Sequence, residues 1–128
     1  MLSVGIDLVE IDRIRRSLEN PRFLNFVYGE KERAELSARG FPAQSLAAAF
    51  AAKEAFAKAL QTGVVGFVLQ EVELLHRENG APYLYLSGRA LHISQERGLK
   101  FSVSVSHTKR YATAVVIAVA NGELRIED

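Results

Sequence analysis

The chain of 128 residues carries 16 Lys and Arg against 15 Asp and Glu, with 48% hydrophobic and 24% charged residues. That size supports one domain with its own core, and a balance this near neutrality argues against disorder and against an electrostatic nucleic-acid binder. The absence of cysteine excludes disulfides, thiolate nucleophiles and cysteine-zinc sites.

A cysteine-free chain fits a reducing cytoplasm. The opening "MLSVGIDLVEI" has neither a basic n-region nor a long apolar run, so neither a signal peptide nor a membrane span is expected. "LSVGIDLVEI" (2–11) is rich in β-branched residues and predicts a strand with Asp7 in its interior. In "IDRIRRSLEN" (11–20), Ile11, Ile14 and Leu18 recur at helical spacing, and Asn20-Pro21 ends the helix. Residues 21–42 predict two short helical pieces hinged near Gly29 and closed by Gly40-Phe41-Pro42.

"AQSLAAAFAAKEAFAKALQ" (43–61) is built of strong helix formers and predicts a long helix, with Thr62-Gly63 as its stop. Alternation on either side of Asn79-Gly80 predicts a hairpin within 68–86. Residues 87–98 predict a helix with Ser87 as N-cap and Gly98 as its end. "KFSVSVSHT" (100–108) and "YATAVVIAVA" (111–120) predict two strands joined by a tight turn. The fold class expected is α+β, a single domain over 1–128 with an antiparallel sheet packed around a long central helix.

Several charges sit in apolar surroundings. Asp7 interrupts a strand, where a carboxylate needs a partner, a metal or a helix to cap. Glu54 and Lys58 stand one i,i+4 step apart, about 40° round the helix, as a plain ion pair or as part of a site. Lys53 lies about 100° from Glu54 and reads by spacing alone as a solvated residue. In "SVSVSHT", Ser102, Ser104 and Ser106 share one face while Val103, Val105 and His107 share the other. Ser106 and His107 therefore point apart, which makes a poor nucleophile and base, and no G-x-S-x-G is present.

No P-loop, dinucleotide fingerprint or H-E-x-x-H occurs, and His76, His92 and His107 lack metal-ligand spacing. His76 and His92 read as surface residues. Asp7, Glu54, Lys58 and His107 are together chemically compatible with a phosphate-and-Mg²⁺ site, since Mg²⁺ takes one or two carboxylates plus phosphate oxygens and water.

Taken in order, "GIDLVEIDRI" (5–14), "FAAKEAFAKAL" (50–60) and "VSVSHTKRYATAVVI" (103–117) resemble the three signature segments of the holo-[acyl-carrier-protein] synthases, small stand-alone 4′-phosphopantetheinyl transferases. The resemblance implies that family's fold. It also implies transfer of the phosphopantetheine arm of coenzyme A to a serine of apo-acyl carrier protein, with release of 3′,5′-ADP, in fatty-acid biosynthesis and lipid metabolism. Whether the carrier serves fatty-acid or polyketide synthesis stays open. By the same resemblance Asp7 and Glu54 are the Mg²⁺ ligands, and Lys58 meets phosphate oxygens or the leaving group. Lys53 is the neighbouring motif lysine on the cofactor side, and His107 and Thr108 lie near the 3′-phosphate of coenzyme A. The serine proton goes to a metal-bound or carboxylate-held water or to Glu54, a choice the residues leave open.

Arg13 matches a residue on the helix that receives the acidic carrier. Arg15, Arg16 and Arg22 widen that patch, or form a solvated basic face. The family implies a homotrimer with coenzyme A in clefts between subunits, and the apolar "YATAVVIAVA" strand is compatible with that or with an ordinary core position. One departure stands out: several family members keep an arginine where this chain has Ala49, so the nucleotide end needs another basic residue, with Lys109 and Arg110 close to His107 in sequence. Two other functions use the same features: a Mg²⁺-dependent phosphatase or nuclease, and a non-catalytic module that binds coenzyme A or the carrier.

Overall fold

In the computed structural model, which describes residues 2–120, strands β1 (Leu2–Glu10), β4 (Leu99–His107) and β5 (Tyr111–Ala120) form an antiparallel sheet of order β1-β5-β4. Met1 and residues 121–128 of the expected 1–128 domain lie outside the described residues. The first strand pairs with the last, Leu2 opposite Val119 and Asp7 opposite Ala114, and His107 stands opposite Ala112. A second antiparallel pair, β2 (Val72–His76) and β3 (Pro82–Leu86), is the hairpin expected around Asn79-Gly80.

Helix α4 (Ala43–Ala59) lies across the three-stranded sheet and is the centre of the core. Alanines 47, 51, 52, 55 and 59 are completely buried along it. Side chains that small let backbones approach, and the partner strand carries that approach further. A Cβ on Gly5 would collide with the Ala55 carbonyl and the Ala59 amide, so helix and strand touch backbone to backbone there. Beside it the Ser3 hydroxyl donates to the Ala59 carbonyl. Farther along, Phe56 packs edge-on against Phe67 at 5.4 Å and in a tilted arrangement against Phe101 at 4.8 Å between ring centres.

The helices α1 (Ile11–Ser17), α2 (Phe23–Val27) and α3 (Glu30–Ser37) match the expected pieces, with the hinge at Tyr28-Gly29. Gly29 starts α3 without a side chain to cap it. The Glu73 carboxylate from β2 accepts from the Glu32 amide at 2.9 Å instead, and fills the space a Gly29 side chain would need. The same substitution of function occurs at α5 (Gly88–Glu96). Ser87 is its N-cap residue as expected, yet its side chain makes no cap, and Glu71 accepts from the Arg89 amide at 2.9 Å. Glu71 belongs to a 3-10 turn (Leu69–Glu71) ahead of β2.

β1 is built inside out. Ser3, Gly5 and Val9 are buried against α4 and Asp7 is half-buried, while Leu2, Val4, Ile6 and Leu8 are between 62% and 65% exposed on the opposite face. The final strand is the reverse case: its Ala112, Ala114, Val116 and Ala118 are buried, which makes it an ordinary core strand on that side. Among the described residues no helix is long and apolar enough to cross a membrane.

The contact at Gly5 is a direct test of this packing. Gly5→Ala has no flexible side chain to displace, so helix and strand must separate; a loss of about 3 kcal/mol is expected, read as a lower urea midpoint. An unchanged midpoint would show that the two backbones are not in contact.

Candidate active site

The tight approach of α4 to β1 brings the expected acidic and basic groups together. Asp7 points from the inner face of β1 toward α4, where the Lys58 ammonium donates to its Oδ1 at 3.3 Å and to the Ile6 carbonyl at 2.9 Å. The backbone behind it is tied to the sheet, because Thr113 donates its hydroxyl to the Asp7 carbonyl at 2.7 Å. Lys58 thus pairs across to the strand rather than with Glu54 on its own helix, as a plain i,i+4 pair would.

Glu54, half-buried one turn earlier, faces the same space. Burial chiefly, and then the nearby Asp7 charge, hold its carboxyl above the usual carboxylate range; Lys58 and Arg13 oppose that shift. Arg13 reaches in from α1, its guanidinium 5.6 Å from the centre of the Phe50 ring. Asp7, Glu54, Lys58 and Arg13 therefore form one charged cluster between β1, α4 and α1.

Its donor set fits a hard divalent cation. Two carboxylates repel one another, a cation between them would relieve that repulsion, and among the described residues no group of three His, Cys, Asp or Glu makes a closed metal cage. A pair of carboxylates with open positions is the arrangement in which Mg²⁺ keeps waters or phosphate oxygens.

Lys53 corrects the sequence reading. Rather than solvated, it is completely buried, and its ammonium donates to Glu32 at 2.6 Å and to the Val72 and Leu69 carbonyls. One residue from Glu54, it points about 100° away, into the core between α3, α4 and β2. Burial pulls both members toward neutrality, Lys53 downward and Glu32 upward, against their mutual attraction and hydrogen bonds.

His107 ends β4 exposed, and the Thr108 hydroxyl accepts from the Arg110 and Tyr111 amides at 3.3 and 3.1 Å, holding the turn that aims the histidine. His107 and Ala49 line one cavity of about 190 Å³. Its other walls include Arg39, His76, Glu35 and Ser45; Lys109 and Arg110 are not among them. Arg39 donates to the Ser45 hydroxyl at 2.9 Å, and the His76 Nδ1 lies 2.9 Å from Glu35. His76 is thus a half-buried, carboxylate-paired residue, whereas His92 is exposed and only beside Glu96. Arg39 and His76 carry no local signal: one precedes a glycine break and the other closes a short strand, and only the fold brings them to Ala49. A larger cavity of about 590 Å³, beside Lys31 and Tyr85, contains none of the expected site residues.

The arginines of the expected docking face are not equivalent. Arg15 is bound to Asp12 at 2.6 Å and Arg16 lies 3.6 Å from Glu10, so part of their charge is answered locally. Arg13 belongs to the charged cluster, and Arg22 is exposed at the start of α2.

Residues 3–116 match the sequence profile of the 4′-phosphopantetheinyl transferase superfamily. The holo-[acyl-carrier-protein] synthase of Caldanaerobacter subterraneus subsp. tengcongensis is 44% identical over 91% of this chain and 93% of its own. The crystal structure of holo-[acyl-carrier-protein] synthase from Neisseria meningitidis superposes with a TM-score of 0.86 at 30% identity, covering 91% of this chain and 97% of that one. A coenzyme A complex of the synthase from Chronobacterium ammoniagenes gives 0.82 at 29% identity, covering 94% and 98%. The chain belongs to the 4′-phosphopantetheinyl transferase superfamily and, within it, to the holo-[acyl-carrier-protein] synthases.

Proposed function

We propose that this chain moves the 4′-phosphopantetheine arm of coenzyme A onto a serine of apo-acyl carrier protein and releases 3′,5′-ADP, with Mg²⁺ held by Asp7 and Glu54. The observation that carries the proposal is the Asp7–Lys58 contact across β1 and α4 with Glu54 beside it. The relatives named as holo-[acyl-carrier-protein] synthases, and the one in complex with coenzyme A, support the substrates.

In the reaction the serine oxygen forms a bond to phosphorus as the bond from that phosphorus to the leaving 3′,5′-ADP breaks. Bound Mg²⁺ would supply positive charge against the charge gathering on the pyrophosphate oxygens. Lys58, exposed beside Asp7, offers a second positive charge to the same oxygens. Thr113 ties β1 to β5, and the Ser3–Ala59 contact ties it to α4, which steadies Asp7 as charge shifts. Arg13 and Arg22 present positive charge to an acidic carrier, and such charges chiefly raise the association rate. The cysteine-free chain suits a cytoplasmic setting.

At the nucleotide end, Arg39 and His76 join His107 and Thr108 in receiving the terminal phosphate, and Arg39 stands in for the arginine that Ala49 lacks. The outward face of Leu2, Val4, Ile6 and Leu8, continued by Ile117, supports a homotrimer, because exposed apolar rows of this kind are normally covered by another surface.

Intact-mass analysis of a carrier protein incubated with coenzyme A and Mg²⁺ should show the addition of one phosphopantetheine; phosphate release from simple esters without a carrier would instead favour a phosphatase. Glu54→Gln should fold and transfer nothing. It should also change stability against pH. A carboxyl held above its unfolded value stabilises the fold below the unfolded value, and that contribution disappears as pH rises through the folded one. The metal-free protein should therefore lose stability as pH rises from the ordinary glutamate value, and Glu54→Gln should lack this part of the slope in thermal melts.

Arg39→Ala should raise the KM for coenzyme A roughly tenfold while leaving that for dephospho-coenzyme A unchanged; equal effects on both would remove Arg39 from the phosphate pocket. Native mass spectrometry should find three chains per particle, and a monomer at micromolar concentration would exclude the trimer.

A further inference from the structure

Of the three charged side chains on α4, Glu54 and Lys58 belong to the site, and Lys53 is buried away from it. We propose that the Lys53–Glu32 pair is the rotational lock of α4, a positioning device that decides which side of this helix meets β1 and so sets Glu54 against Asp7. The proposal rests on Glu54 and Asp7 as the metal-holding pair.

The need for a lock follows from the alanines. Ala47, Ala51, Ala52, Ala55 and Ala59 are nearly identical buried methyl groups, and Gly5 meets the backbone of Ala55 and Ala59 rather than a shaped side chain. On the face toward β1, uniform small side chains give close packing but little preference for one rotation over its neighbours. Phe56 and Leu46, both fully buried, add packing that favours the observed rotation without fixing a polar direction. A turn of one residue about the helix axis, roughly 100°, would carry Glu54 out of the cluster.

Lys53 removes that freedom. Among the described residues its fully buried ammonium finds its acceptors on α3 and around the start of β2: Glu32 at 2.6 Å, the Leu69 carbonyl at 3.3 Å and the Val72 carbonyl. Its Nζ also lies 5.4 Å from the centre of the Tyr28 ring. The Glu32 carboxylate is itself fixed, accepting from the Gly29 amide at 3.1 Å and the Leu74 amide at 2.8 Å. A second bond tightens the same corner, from the Tyr28 hydroxyl to the Leu46 carbonyl on α4 at 2.7 Å. Rotating α4 would leave a buried charge without partners, a loss added to the withdrawal of Phe56 from Phe67 and Phe101. Fixing register is also the best-attested use of a buried polar group.

The test is the double variant Lys53→Met/Glu32→Gln, which removes both charges and keeps an acceptor for the Leu74 amide. It should fold, with the Mg²⁺ midpoint for thermal stabilisation raised about tenfold or more and kcat lowered by a similar factor. Measured at saturating Mg²⁺, the KM for coenzyme A should stay within about threefold of wild type, a change of less than about 1 kcal/mol. A folded double variant with the wild-type midpoint and kcat would overturn the proposal.

If the double variant does not fold, hydrogen exchange on the wild-type protein decides. The Gly29 and Leu74 amides, both bound to Glu32, should open together with the amides of α4 that flank Glu54. Independent, earlier opening of the Glu32-bound amides would equally refute the lock. Absence of transfer by the wild-type protein would count against the functional reading alone, since the metal midpoint and the exchange pattern do not depend on turnover.

Discussion

The fold depends on one steric permission: at Gly5 a strand and a helix lie backbone against backbone. No side chain larger than alanine stands between β1 and α4 there, and Ser3 adds a hydrogen bond to the Ala59 carbonyl. The charged cluster exists because of this spacing. A lysine on one element can reach a carboxylate on the other, and Glu54 is drawn far enough from water to favour its proton. With ordinary aliphatic packing at the contact, the same residues would stand farther apart, each solvated and each unremarkable in its ionisation.

Close packing and specificity come from different residues. The alanines supply proximity. The buried charges around Lys53, Glu32 and Glu73 supply direction, tying α4 to α3 and to the start of β2 with hydrogen bonds that leave no buried side-chain polar atom unpartnered among the described residues. Glu73 illustrates the economy of the arrangement: it caps α3 in place of a side chain on Gly29, so a strand performs the task usually given to the residue before a helix. Glu71 does the same for α5.

Much of this was legible because periodicity and breakers are local. The helical spacing of Ile11, Ile14 and Leu18, the alanine run and the Asn79-Gly80 turn each mark an element without reference to the rest of the chain. Asp7, Glu54 and Lys58 were legible as anomalies, charges where local pattern asks for apolar groups. Lys53 was not, because adjacent residues on a helix look alike until tertiary packing selects a face, and here packing put the lysine inside. Arg39 and His76 were invisible for a related reason: their meeting with Ala49 spans three elements. Alternation in β1 shows that its two faces differ, but not that the apolar one points outward. That orientation follows from the narrow gap beneath α4, which only Ser3, Gly5, Asp7 and Val9 can fill.

The pairing of the first strand with the last has a consequence for the order in which the molecule can come into being. Asp7 lies within the first ten residues, yet among the described strands the one that carries it has β5 as its single ladder partner, Leu2 opposite Val119. During synthesis α4 and the β2–β3 hairpin emerge while β1 still has no ladder partner, and the gap that seats Asp7 closes only after residue 119 has left the ribosome. A chain truncated before β5 therefore carries Asp7 on a strand without its ladder partner, however complete its helices are. One half of the carboxylate pair thus depends for its seat on a strand more than a hundred residues away in the chain.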